Sequence, residues 1–81
     1  MPEALKFHLT QHFRLRMEQR GVRLEHAKNV VKYAQHTKPL GRGTHGGIRR
    51  KYSKTDSGRT IVVVAETKAN DCWLVTAYYA T

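Results

Sequence analysis

Leu9, Phe13 and Met17 recur every four residues, and His12, Arg16 and Arg20 recur beside them at the same interval. At about 100° per residue the two sets form adjacent stripes, one apolar and one cationic, on a single helix. The pattern predicts a helix from a Thr10 cap to Arg20, with Gly21 as its left-handed stop. A second helix is expected over "LEHAKNVVKYAQ", where Leu24, Ala27, Val30, Val31 and Ala34 fall within about 120° of one another on the helical wheel. Arg23 stands where Ser, Thr or Asp would cap this helix, so its first turn is expected to fray. The intervening "GVR" fits only a helical hairpin or a sharp corner, with Val22 tucked beneath it.

After Gln35 the periodicity changes. "HTKPLGRGTHGG" holds Pro39 and four glycines, which excludes a long helix and suits a short strand around Pro39 and Leu40. "IRRKYSK" alternates apolar or aromatic residues with cations, the signature of a half-exposed strand. "TDSGR" supplies a turn, and the β-branched run "TIVVVAET" is expected as the central strand. "KAND" turns the chain again before a last strand, "CWLVTAYYA". The expected architecture is α+β: one domain spanning 1–81, with two N-terminal helices packed on a three- to four-stranded antiparallel sheet in two layers.

Charge narrows the function more than composition does. Fifteen Lys and Arg oppose six Asp and Glu, for a formal +9. That excess favours a polyanionic partner, such as a nucleic acid or an acidic protein. A membrane partner is disfavoured, because no apolar run approaches the roughly 20 residues of a spanning helix. "MPEALKFHLTQHF" has no sustained apolar core of the kind a signal peptide needs, so a cytoplasmic location is expected. The single Cys72, set in "CWLV", cannot form an intrachain disulfide and reads as a small buried hydrophobe in a reducing compartment.

Two clusters could carry chemistry. The first is the stripe His12, Arg16 and Arg20, placed where the helix would meet the sheet and where a phosphate would be focused; the bland alternative is that both arginines extend over the core edge into water. The second is the strand "GGIRRKYS", in which Arg50 and Tyr52 share one face and Arg49 and Lys51 the other. Cations beside aromatic rings suit a nucleic acid, with Arg on phosphates and Tyr stacking bases; the alternative is an edge strand using charge against aggregation. Tyr78 in "TAYYA" is either a packed ring with a wet hydroxyl or a stacking platform. His8 and His12 stand i, i+4, yet no Cys, Asp or Glu cluster joins them, so no metal is expected. "GRGTHG" matches a glycine-rich fingerprint but precedes a strand, so it reads as a mobile basic loop in which His45 could touch a ligand, and no cofactor is expected. The six acids form no close pair, which disfavours two-carboxylate or two-metal hydrolysis.

"LTQHFRLRMEQRGV", the "GGIRRKY" and "IVVV" strands and the closing "WLVTAYY" together resemble a small bacterial family, domain-of-unknown-function family 4258. One departure is Arg23, where a Ser-like cap is usual. The family is similar in layout to the RelE, ParE and BrnT toxins of toxin–antitoxin pairs. The resemblance implies a RelE-like two-layer fold and a metal-independent ribonuclease in which the RNA 2′-hydroxyl attacks the adjacent phosphate. His12 would move the proton, Arg16, Arg20 and Arg50 would hold the phosphate, and Arg49, Lys51, Tyr52 and Tyr78 would bind the strand. RNA and an acidic antitoxin-like protein are the implied partners. The alternatives are an RNA- or DNA-binding module without catalysis, and a basic domain that mainly binds an acidic protein.

Overall fold

The computed structural model describes residues 5–80. The chain runs β1 (Lys6–Leu9), α1 (Gln11–Arg20), α2 (Leu24–Lys32), β2 (His36–Arg42), β3 (Ile48–Asp56), β4 (Arg59–Lys68) and β5 (Asp71–Ala80). The five strands form one sheet in the order β1-β5-β4-β3-β2, antiparallel except that β1 runs parallel to β5.

This sheet corrects the expected architecture. A strand precedes the helices, and its parallel pairing makes the sheet mixed and five-stranded rather than a three- or four-stranded antiparallel one behind two leading helices. The local signal for β1 is only four residues long: Lys6 and His8 point outward while Phe7 and Leu9 pack on the core. Its partner, Asp71–Leu74, lies more than sixty residues away, so no local pattern announces the pairing. The strand expected around Pro39 and Leu40 is also longer, His36–Arg42. It is an edge strand, where Pro39 breaks no internal ladder, and a register shift between Pro39 and Gly41 absorbs Leu40.

Both helices begin and meet as the residues predict. The Thr10 hydroxyl accepts the Phe13 N–H at 3.0 Å and donates to the Leu74 carbonyl at 2.9 Å, so one side chain caps α1 and ties it to β5. Gly21 ends α1 at φ 65°, and Val22 is buried at the corner. Arg23 gives α2 no side-chain cap. The second helix stops at Lys32, short of the expected Gln35, because Gln35 donates its N–H to Ser53 O and already follows β3.

The helices cover one face of the sheet. Ile61, Val63 and Ala65 of β4 share a core with Phe13 of α1, Ala27, Val30 and Val31 of α2, and Cys72, Leu74 and Ala77 of β5. Pairing shifts between Val64–Thr76 and Ala65–Leu74, leaving one extra residue in β5, so that Leu74 and Ala77 both face inward although three residues apart. Burial pushes the Cys72 thiol up to about 12, which leaves it a core residue rather than a nucleophile. Among the described residues no helix is long and apolar enough to cross a membrane.

Candidate nucleic-acid interface

The opposite face of the sheet carries no helix, and cross-strand register says which side chains stand on it. One row runs His8, Trp73, Glu66, Arg49; a second joins Thr76, Val64, Lys51 and Lys38; a third joins Tyr78, Val62, Ser53 and His36. Lys38, Arg49 and Lys51 therefore share one surface, and among the described residues none of them makes an ion pair. Arg49 buries its Nε without a hydrogen-bond partner. A shallow hollow of about 210 Å³ between β2 and β3 is lined by His36, Thr37, Lys38, Lys51 and Ser53.

The eight sequence-derived site residues divide among three places. Arg49, Lys51 and Tyr78 stand on the open face. His12, Arg16 and Arg20 lie along α1, which packs beside β5. Arg16 donates from Nε to the His12 ring at 3.4 Å and from Nη1 to Gln19 at 3.1 Å. Arg20 donates to the Ala77 carbonyl at 3.2 Å, and its guanidinium lies 5.7 Å from the Tyr78 ring centre, so this residue joins the helix stripe to the open face. Arg50 and Tyr52 point the other way, towards the helix layer. Tyr52 is 8% exposed within the core, and Arg50 donates to the Thr67 hydroxyl at 2.7 Å. The four residues assigned to catalysis thus do not converge on one point. A hollow of about 200 Å³ at the other end of the molecule, between α2 and the β3–β4 hairpin, contains none of the eight.

One cluster on the open face escaped sequence reasoning. Glu66 is fully buried on the side without helices, because the loop 43–47 folds over it. Its Oε2 accepts the backbone N–H groups of His45 and Gly47, each at 2.8 Å, and its Oε1 accepts the His45 Nδ1–H at 3.1 Å. Burial alone would raise the carboxyl, but the Gly47 N–H, the His45 ring, the His45 N–H and the charge on that ring together hold it below its ordinary 4.5. His45 then stacks on Trp73, 4.4 Å between centres and 8° from coplanar, while His8 stacks on the same indole at 5.3 Å and bonds Asp71 at 2.9 Å. The loop can lie this close because Gly43 and Gly47 have no side chain: a Cβ at Gly43 would stand 1.9 Å from Glu66 Oε1, and one at Gly47 2.5 Å from Thr67 O. Among the described residues no three of His, Cys, Asp and Glu converge as a metal site. The sequence held a signal for this cluster, a lone acid inside the apolar run "VVVAET", which must find donors if the strand is central.

Fold and surface together define a small helix-backed mixed-sheet domain with a basic, helix-free face. The chain belongs to the family described as Domain of unknown function (DUF4258), whose family model matches residues 9–79. No curated protein and no solved structure matches it.

Proposed function

We propose that this domain binds single-stranded RNA across the open face of its sheet and cleaves it there without a metal. The observation that carries the reading is the set of unpaired cations Lys38, Arg49 and Lys51 on a surface that also presents the half-buried Tyr78 ring. Unpaired cations gain from phosphate by releasing its counterions, and an aromatic ring beside them can stack an unpaired base. Arg20 extends the surface around the β5 edge through Tyr78. Three histidines, His8, His36 and His45, stand over the same face and supply groups able to move a proton.

Binding without catalysis is the second reading, favoured by the different partners of His12 and Arg50, the first bonded to Arg16 on α1 and the second to Thr67 on β4. An acidic, antitoxin-like protein is a partner that would cover the same cations. The test is fluorescence anisotropy with a labelled single-stranded RNA, followed by product analysis in EDTA. Salt-sensitive binding with new 2′,3′-cyclic phosphate ends is expected. Binding with intact RNA would move the assignment to the binding module, and absence of binding would leave the acidic protein as the partner of this face.

A further inference from the structure

Among the imidazoles of the open face, His45 is held from two sides. An ionised carboxylate can only accept hydrogen bonds, so the contact between Glu66 Oε1 and His45 Nδ1 places the ring proton on Nδ1 and, in the neutral ring, the lone pair on Nε2. The Thr44 hydroxyl lies 3.4 Å from the same Nδ1. Trp73 fixes the ring plane by stacking. Both hydrogen-bond contacts are at Nδ1 and the Trp73 contact is a stack, so none of the three uses Nε2, and the side chain remains 41% exposed. A buried acid orienting an imidazole whose far nitrogen faces open surface is the arrangement that general-base catalysis requires. His12, by contrast, is exposed on α1 with Arg16 rather than a carboxylate as its partner.

We infer that His45 is the proton-transfer residue of this domain and Glu66 the residue that positions it, an inference that rests on the ribonuclease reading above. In the reaction, Nε2 takes the proton of an RNA 2′-hydroxyl as O2′ forms a bond to the adjacent phosphorus. The bond from phosphorus to O5′ breaks, and the imidazolium returns its proton to that leaving oxygen. The products are a 2′,3′-cyclic phosphate and a 5′-hydroxyl, with no net change in protons. Arg49, directly across from Glu66 in the sheet, and Lys51, two residues along the same face of β3, are cations of this face that would meet charge on the phosphorane. The other charged groups around the loop are Lys68, whose Nζ lies 3.4 Å from where a Gly46 Cβ would stand, and the His8–Asp71 pair beyond Trp73.

The experiment compares the full chain with His45→Gln, Glu66→Gln, His12→Ala and, as a remote control, His26→Ala, on one single-stranded RNA in EDTA. Folding is followed by far-UV circular dichroism and by the fluorescence of the single Trp73. Glutamine at 45 can still donate to Glu66 but cannot carry a proton between oxygens. His45→Gln is expected to bind RNA as the parent does while losing roughly 10²–10⁴-fold in cleavage rate, the usual contribution of a general acid–base group. Glu66→Gln presents an amide N–H to Nδ1, so the ring must move its proton to Nε2. Nitrogen NMR of the His45 ring should report that change of tautomer, with cleavage falling in parallel. His26→Ala should cleave at the parent rate. Parent-like cleavage by folded His45→Gln would overturn the inference, and if His12→Ala then abolished cleavage the ribonuclease reading would stand without it. An unchanged tautomer in Glu66→Gln would overturn the positioning role. A parent chain that binds RNA and leaves it intact would overturn the ribonuclease reading and His45's role together.

Discussion

Glu66 is the residue whose ionisation is most tightly built into the fold. Its three donors are lost on unfolding, where the carboxyl returns to its ordinary value of 4.5. Because the folded value is the lower one, the stabilisation is fully present above the unfolded value and is lost as pH falls through the folded value. Thermal melts between pH 7 and pH 3 should show the melting temperature dropping below about pH 4.5, and Glu66→Gln should flatten that acid limb, because a neutral amide does not titrate. At pH 7 the Glu66→Ala variant, which leaves the His45 and Gly47 N–H groups without their acceptor, should lose roughly 1–3 kcal/mol. An acid limb equally steep in Glu66→Gln would show that another carboxyl carries it. The contrast with Arg49 is instructive. It stands directly opposite Glu66 in register, yet the carboxylate takes all its partners from the loop and the guanidinium keeps none of them.

The loop 43–47 is the element on which both the buried acid and the oriented imidazole depend. Gly43→Ala places a Cβ 1.9 Å from Glu66 Oε1, so either the carboxylate or the loop must move. The expected cost is about 1–3 kcal/mol, as for other overpacked sites. Trp73 fluorescence should change with it as the His45 ring leaves the indole, whereas unaltered fluorescence and stability would mean that the loop does not press on Glu66. The same loop shows where sequence reading reached its limit. Alternation in "IRRKYSK" and the β-branched run of β4 made those strands legible, and spacing plus Thr10 and Gly21 made α1 legible, because each is a local pattern with its own physical cause. The sides of Arg49 with Lys51 and of Arg50 with Tyr52 followed from strand period alone. What stayed hidden was non-local. The β1 strand is defined by a partner at the far end of the chain, and "GRGTHG" gains its role only from an acid some twenty residues later. The helix stripe was visible, but its relation to Arg50 depended on which sheet face the helices cover.

For the whole molecule the question is whether the +9 charge acts as a diffuse cloud or through one surface. Cations also lie on the helix layer: Lys28 and Lys32 of α2 stand within 6 Å of the Phe7 ring centre, at 5.5 and 5.9 Å. A diffuse field would weigh these lysines like Lys38 and Lys51, since all four variants lower the net charge alike. Binding across the open face would not, because only cations that touch phosphates release counterions in proportion. For a single strand each phosphate contact contributes about 0.7 to the slope of log K against log salt. Removing Lys38 and Lys51 together should therefore flatten the slope by about 1.4, while the double variant Lys28→Ala, Lys32→Ala should leave it near the parent value. Anisotropy titrations at four or five salt concentrations separate the two cases. Equal flattening in both double variants would show that RNA senses the net charge and not this face. Loss confined to Lys38 and Lys51 would put the strand over β2 and β3, with the Glu66-held imidazole one row away along the same strands.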